Sequence, residues 1–565
     1  MPNLDNPLIV QADKSILLEV HNPKYEEARD ALARFAELEK SPDHLHSYRI
    51  TPLSLWNAAS SGVTAELVLG DLERLSKYPI PPNLLADVKE SISRYGRIKL
   101  VKSTENAEEL ELQVSDEMLG NLISHTKDVA KLLVPGGGLR LVAENRGEIK
   151  QALIKVGYPV VDEAGYTVGE PHDFTLREQT LGGKKFDLRH YQSDSVGAFM
   201  AGGGGNGVIC LPCGAGKTVV ALAAAARLQV KTLVLATNVT AVRQWMSEAL
   251  DKTTLKPEDV GEYSGDRKEI KPFTVATYQI VTRRSGDKFP HLAIFNAANW
   301  GLIVYDEVHL LPAPIFRFTA GLQARRRLGL TATLIREDGR ESDVFALIGP
   351  KRYDVPWREM ERAGFIAEAT CTELRMALPE GARMSYATTD ARSRFTVAAQ
   401  NPIKELAVKA LLERHKGESI LVIGQFLEQL RSLAESLKLP LITGETPQDE
   451  RDVLFGKFRS GEVPVLIVSK IGNFSIDLPD ASVLIQISGT FGSRQEEAQR
   501  LGRVLRPKDK PASFYSLVSE DTVELDFAMK RQLFLTEQGY RYKIEDYHPV
   551  ARPLTTPTPP STPPA

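Results

Sequence analysis

Hydrophobic and polar positions change rhythm several times along the chain. From Pro23 to Glu39, the apolar residues Ala28, Leu32, Phe35 and Leu38 recur at helical spacing between charges. Thr51-Pro52 opens another helical stretch, with Leu55, Trp56 and Ala59 on one face. Residues 1–95 therefore read as a mostly helical domain. Arg97 to Val101 and Glu109 to Val114 alternate as strands do, and helical patterns follow at Ser115–Leu133 and Arg146–Val156. Residues 96–167 read as a small α+β domain. The stretch 168–185 is polar and broken by Gly and Pro, which predicts a linker.

Beyond the linker, short apolar runs alternate with helical stretches. The runs are Val208–Leu211, Thr232–Leu235, Phe273–Ala276, Leu302–Tyr305 and Arg327–Leu330. Apolar runs without alternation are strands buried on both faces, so this pattern predicts a parallel sheet covered by helices. The rhythm resumes at Ser419–Ile423, Pro440–Ile442, Pro464–Val468 and Ser482–Ile487. The parse is two tandem α/β domains, residues 186–360 and 361–550. Residues 551–565 form a Pro/Thr-rich tail with no core-forming residues, expected to be disordered. No repeat of fixed period is visible.

Composition narrows the function classes. The chain has 565 residues, beyond the roughly 250–300 that one core supports. Apolar residues make up 42% and charged residues 25%, an ordinary globular balance that excludes a disordered or fibrous chain. Net charge is −3, distributed as −8 over residues 1–180 and +5 over residues 181–565. A polyanion partner is therefore expected on the C-terminal part. The three cysteines, Cys210, Cys213 and Cys371, exclude a disulfide-built fold. Cys210 and Cys213 form a C-x-x-C with no second pair at zinc spacing, so a packing role is expected. The N-terminus lacks the features of a signal peptide, and no apolar run is long enough to span a membrane. The expected location is cytoplasmic.

The strongest chemical signal is Leu211-Pro212-Cys213-Gly214-Ala215-Gly216-Lys217-Thr218, between an apolar strand and an alanine-rich helix. That is the context of a phosphate-binding loop, although Leu211 stands where the usual pattern has its first glycine. Backbone N–H groups of Gly214, Ala215 and Gly216 would curl around phosphate oxygens, and the helix N-terminus adds positive potential. Lys217 would reach the β- and γ-phosphates, and the Thr218 hydroxyl would hold Mg2+. Roughly 90 residues downstream, the strand Leu302–Tyr305 ends in Asp306-Glu307, followed by Val308-His309. Asp306 would hold the Mg2+, and Glu307 would orient and deprotonate the attacking water. Acidic strand ends are also common as caps. It is the pairing with the phosphate loop that predicts a nucleoside triphosphatase. Thr331 and Thr333 end another strand. Gln499, Arg503 and Arg506 fall on one helix face, where a split-site ATPase needs cations from its second domain.

G-x-G-K-T, DEVH, TAT and Q-x-x-G-R-x-x-R in this order resemble superfamily 2 helicases. The wording around them resembles XPB-type DNA helicases in particular. The matching stretches are Leu211–Lys217, Trp300-Gly301, Gly329–Asp338, Ser469–Gly472 continuing to Asp477-Leu478-Pro479, and Gln495–Arg506. The resemblance covers roughly residues 185–510 and extends more weakly into 1–165. It implies two tandem RecA-like parallel-sheet motor domains, with ATP and Mg2+ bound at their cleft. Arg189 and Gln192 would lie on the adenine side. His309, Thr331, Thr333 and Asp477 would couple hydrolysis to movement, and Arg503 and Arg506 would be arginine fingers. Arg336, Glu337 and Asp338 would serve strand separation, with a plain charged turn as the alternative. Glu380–Gln400, carrying Arg383, Arg392 and Arg394, is the candidate for the family's thumb-like insertion. The 96–167 unit looks like the family's damage-recognition domain, although the run Glu105, Glu108, Glu109, Glu111 argues against strong phosphate contact. The implied activity is 3′ to 5′ ATP-dependent DNA helicase or translocase in DNA repair, acting on single-stranded or forked DNA. Partner classes are a repair nuclease or transcription and repair proteins, with no membrane partner, and a bacterial chain would be nucleoid-associated. A duplex translocase without unwinding and a nucleotide-switched scaffold are the rival readings.

Overall fold

The computed structural model describes residues 2–549 apart from 41–43, 107, 202–204, 213, 287–288, 312–314, 316–318, 320–324, 333–340, 356–359, 361–368, 391–392, 470–480, 489–511 and 538–540. The N-terminal unit departs from the expected mostly helical domain. It holds strands β1 (Leu8–Val10), β2 (Ser15–Glu19), β3 (Glu37–Lys40) and β4 (Leu45–Arg49) in an antiparallel sheet of order β1-β2-β4-β3. Helix α1 (Tyr25–Leu32) stops short of the predicted stretch, because Glu37–Lys40 pairs with β4 instead of continuing the helix. Helices α2 (Pro52–Ser60), α3 (Ala65–Leu75) and α4 (Pro82–Arg94) complete the unit. Thr51 caps α2, its hydroxyl accepting from the Ser54 N–H while the Ser54 hydroxyl accepts from the Thr51 N–H.

The next unit is α+β. Strands β5 (Ile98–Lys102), β6 (Glu109–Val114), β7 (Arg140–Val142) and β8 (Val160–Asp162) lie in the order β7-β6-β5-β8. They are packed with helices α5 (Glu117–Ser124), α6 (Lys127–Ala130) and α7 (Arg146–Lys155). Both N-terminal units rest on the first large sheet. Gln151 donates to Asp343 Oδ1 at 2.8 Å, and the Ser61 hydroxyl donates to the Lys351 carbonyl at 2.9 Å. Within the second of these units Asp162 accepts two hydrogen bonds from Arg146 and one from Lys150, all deeply buried. The Arg327 guanidinium lies over Tyr166.

The stretch 168–185 is irregular as predicted, but it works as a strap more than a free linker. Pro171 and Leu176 bridge to Val230 and Thr253, and Phe174 is buried in the core. Gly169 adopts φ +82, and a Cβ there would lie 2.2 Å from the Gly301 Cα. That close approach accounts for glycine at 169, and a Cβ on Gly301 would itself lie 2.5 Å from the Val230 Cβ.

Two seven-stranded parallel sheets follow, the tandem α/β architecture expected from the apolar runs. The first contains α8 (His190–Met200), β9 (Asn206–Cys210), α9 (Lys217–Leu228), β10 (Thr232–Ala236) and α10 (Val239–Lys252). It continues with β11 (Val260–Tyr263), β12 (Phe273–Thr277), α11 (Tyr278–Val281), β13 (Leu302–Asp306), β14 (Arg326–Thr331), α12 (Glu341–Leu347) and β15 (Lys351–Asp354). The strand order is β11-β12-β10-β13-β14-β9-β15. The second contains β16 (Ala369–Met376), α13 (Glu380–Thr388), α14 (Arg394–Ala399), α15 (Ile403–Arg414), β17 (Ile420–Gly424) and α16 (Leu427–Leu437). After these come β18 (Leu441–Ile442), α17 (Gln448–Arg459), β19 (Val465–Ser469), β20 (Val483–Gln486), β21 (Ala512–Ser519), α18 (Val523–Glu537) and β22 (Arg541–Asp546). Its order is β18-β19-β17-β20-β21-β16-β22. Strands β11, β15, β16, β21 and β22 are additional to those predicted. Central strands β10, β12 and β17 are buried at every position, as sheets covered on both faces require.

Candidate active site

Three adjacent strands, β9, β14 and β13, place their C-terminal ends side by side. In register, Thr331 faces Cys210 and Leu330 faces Asp306. In parallel α/β sheets the C-terminal edge is where ligands bind, because loops and helix N-termini gather there.

β9 ends at Cys210 and leads to the phosphate loop. Gly214 and Gly216 take φ +80 and +82, a left-handed backbone that lets the loop curl without side-chain clash. Among the described residues, nothing lies within 4 Å of where a Gly214 Cβ would be. Lys217 opens the 12-residue helix α9, whose N-terminus carries positive potential. Gln192 reaches this loop from the start of α8, with Arg189 at that helix's N-cap. Gln192 Nε2 donates to the Ala215 carbonyl at 2.9 Å, and its Oε1 accepts from the Arg189 N–H at 3.0 Å. Tyr191 donates from its hydroxyl to the same carbonyl at 2.8 Å. These contacts tie α8 to the loop.

β13 delivers the carboxylates. Glu307 sits in left-handed backbone, φ 49, at the strand's exit. A non-glycine residue in that region is uncommon and frequent at functional sites. Its Oε1 pairs with Lys217 Nζ at 3.0 Å, and Oε2 lies 3.6 Å from His309 Nδ1. His309 Nδ1 and the Thr331 hydroxyl are hydrogen-bonded at 2.7 Å, both buried. A continuous polar chain thus runs Lys217, Glu307, His309, Thr331. Trp245 Nε1 donates to Asp306 Oδ2 at 2.9 Å, and the Tyr278 hydroxyl donates to the Asp306 carbonyl at 2.8 Å.

The two carboxyls are pushed apart electrostatically. Burial, followed by the Glu307 charge, drives Asp306 up to about 6. Burial works upward on Glu307 too. Lys217, then His309, and the Ala332 N–H outweigh it, so Glu307 lies below the ordinary carboxylate range. A cation beside Asp306 would work against this rise and favour the carboxylate further. Hard oxygen donors at Thr218 and Asp306 suit Mg2+, and a glycine-lined loop with a lysine at a helix N-terminus suits a triphosphate. The residues present fit Mg2+–ATP.

The structure therefore brings together Arg189, Gln192, Gly214, Ala215, Gly216, Lys217, Thr218, Asp306, Glu307, His309 and Thr331. Thr333, Arg336, Glu337, Asp338, Asp477, Gln499, Arg503 and Arg506 lie outside the described residues, as does Cys213. Cys210 is buried at the end of β9, where burial and then the Asp354 charge raise its thiol pKa, in keeping with a packing role. No cluster of metal-ligating type with three or more His, Cys, Asp or Glu occurs among the described residues. Glu380–Gln400, the thumb candidate, forms the helical pair α13 and α14, with the Tyr386 hydroxyl accepting from the Val523 N–H of α18. Trp245 and Tyr278 were not foreseen. The available signal was a tryptophan on the apolar face of a helix after a buried strand, since a buried indole N–H needs a partner.

Comparison with known proteins covers nearly the whole chain. Residues 360–551 match the ERCC3/RAD25/XPB C-terminal helicase family, residues 185–336 the type III restriction enzyme res subunit, and residues 8–135 the helicase conserved C-terminal domain. A protein of Kineococcus radiotolerans named DNA 3'-5' helicase XPB is 52% identical over 547 residues, covering 96% of this chain and 97% of its own. The protein of the same name from Mycobacterium tuberculosis is 50% identical over 547 residues, covering 96% and 98%. The general transcription and DNA repair factor IIH helicase/translocase subunit XPB/SSL2 of Saccharomyces cerevisiae is 33% identical over 610 residues, covering 95% and 71%.

Proposed function

The chain belongs to the XPB family of DNA helicases, and from that premise we propose how its residues divide the work of an ATP-dependent 3′ to 5′ DNA helicase. The observation that carries the reading is the contact of Lys217 Nζ with Glu307 Oε1 at 3.0 Å, made between the helix that follows β9 and the end of β13, two strands away in the same sheet. Lys217 exchanges this partner for phosphate oxygens and neutralises their charge. Thr218 and Asp306 hold Mg2+, and bound Mg2+–ATP supplies the scissile phosphoanhydride. Glu307, released from Lys217, orients a water and takes its proton on a carboxylate oxygen. His309 and Thr331 pass the change at Glu307 to β14 and on toward Thr333. Arg189 and Gln192 hold the adenine side of the loop. Arg503 and Arg506, supported by Gln499, enter from the second RecA-like domain to offset transition-state charge, and Asp477 joins the coupling set.

DNA is the polymer on which the motor acts, in keeping with +5 over residues 181–565. Arg336, Glu337 and Asp338 form the strand-separating wedge, a reading supported by their place directly after the Thr331 strand end. The name of the yeast relative supports transcription and repair proteins as partners, and a repair nuclease is the other class. Among the described residues no helix is long and apolar enough to cross a membrane. A DNA substrate supports a cytoplasmic location, at the nucleoid if the cell is bacterial.

The test is ATPase activity without nucleic acid and with single-stranded DNA, blunt duplex DNA and RNA, beside strand separation on a 3′-tailed duplex. Stimulation by DNA with unwinding of the tailed duplex is expected. Turnover with no strand separation would favour the duplex translocase. Absence of DNA-stimulated turnover would favour the nucleotide-switched scaffold.

A further inference from the structure

A metal-holding carboxylate works only when its orientation is fixed before the cation arrives. Asp306 is the last residue of β13, where a short side chain at a strand end has several rotamers open to it. Here one oxygen is already committed, because Trp245 Nε1 donates to Asp306 Oδ2 at 2.9 Å. The indole is buried, on a helix that covers the sheet. The backbone is held as well, through the Tyr278 hydroxyl on the Asp306 carbonyl at 2.8 Å.

The choice of partner is informative. Among the described residues, Trp56 and Trp300 satisfy their N–H groups on backbone carbonyls, of Ser91 and Ile294. Packing alone asks no more than that of a buried indole. Trp245 instead spends its N–H on a carboxylate of the site. A hydrogen bond to a charged acceptor is stronger and more directional than one to a carbonyl. With the indole on Oδ2, the carboxylate is turned one way before a cation or a water bound to it arrives.

We infer that Trp245 is a positioning residue for the reaction, orienting Asp306 for Mg2+. The inference rests on the Mg2+–ATP reading given above. Its test is Trp245→Phe in the full chain, which keeps an aromatic ring in place and removes the N–H. Equilibrium binding of a fluorescent non-hydrolysable ATP analogue is titrated with Mg2+, and binding in EDTA is measured beside it. The Mg2+ half-saturation should rise by roughly 10- to 100-fold, the usual effect of losing an outer partner of a metal ligand. Binding in EDTA should be unchanged. In an Asp306→Asn background, Trp245→Phe should add nothing further, since the two act as one unit. If Trp245→Phe misfolds by circular dichroism, benzothienylalanine at position 245 replaces N–H with sulfur at nearly constant shape, and the same titration applies. An unchanged Mg2+ half-saturation in the folded variant overturns the inference. So does equal weakening with and without Mg2+, which marks a structural role. Wild-type protein that binds no analogue under either condition would overturn the ATP reading itself.

Discussion

Numbered from its own first strand, each parallel sheet runs in the order three-four-two-five-six-one-seven. The topology is repeated and the strand ends are not. In the first sheet, strand one leads to the phosphate loop, strand five ends in Asp306-Glu307 and strand six in Thr331. In the second, strand one ends at Met376 and leads to the helical pair α13–α14, while strand five ends at Gln486. Each domain also holds a lysine–glutamate pair, in opposite circumstances. Lys217–Glu307 is partly open at 3.0 Å, on strained backbone at a strand exit. Lys404–Glu524 is sealed, with both carboxylate oxygens 2.8 Å from Nζ and a further hydrogen bond from the Ser519 N–H at 2.9 Å. Repetition of the scaffold follows from packing rules for parallel strands. Chemistry follows from what a few terminal residues offer.

The comparison breaks most visibly if the second domain is chemically silent. Arg503→Ala or Arg506→Ala should lower DNA-stimulated turnover by about 10³–10⁵-fold, with equilibrium ATP binding changed far less. A loss under tenfold would leave the first sheet catalytically self-sufficient. Next in size are the residues of the open pair. Lys217→Ala should reduce hydrolysis by about 10²–10³-fold or more. Glu307→Gln should still bind ATP and lose about 10²–10⁴-fold in single-turnover hydrolysis. Wild-type rates from Glu307→Gln would remove it as the base.

The sealed pair should respond in stability instead. Lys404→Met strands a buried carboxylate and should cost about 3–5 kcal/mol in denaturant unfolding of the second domain. The double variant Lys404→Met/Glu524→Leu should recover much of that. ATP binding by the first domain should be indifferent to both. The smallest effect is one the domains should share. Exposed Gln229 and Lys438 end α9 and α16 in left-handed backbone, at φ 50 and 54. Gln229→Gly and Lys438→Gly should each stabilise by about 1 kcal/mol, read as a higher denaturation midpoint at constant turnover.

Legibility in the sequence followed unbroken runs of apolar residues. Strands β10, β12 and β17 lie inside sheets covered on both faces, so their apolar runs announce them. The phosphate loop and Asp306-Glu307 were equally readable, since their chemistry lies in consecutive residues. The edge strands β15 and β22 were not, nor were β16 and β21 inside the second sheet. β15 reads Lys-Arg-Tyr-Asp and β22 reads Arg-Tyr-Lys-Ile-Glu-Asp, patterns that no apolar period marks. β3, with Glu-Leu-Glu-Lys, is a strand because β4 pairs with it, which is why the stretch Pro23–Glu39 reads as one helix and yet ends in a sheet.

By itself the sequence determined the class of the fold, the phosphate loop, the carboxylate pair and the family, because each is written in local order or in a run of buried positions. Tertiary structure alone decided that β9, β14 and β13 lie side by side, which brings Lys217 to Glu307 across roughly 90 residues of chain. It also decided that the strap at 168–185 packs on the first sheet, that both sheets share one strand order, and that the Trp245 indole ends on Asp306. The reason is physical: hydrogen bonds and close packing act between groups near in space, and sequence order constrains that nearness only within an element.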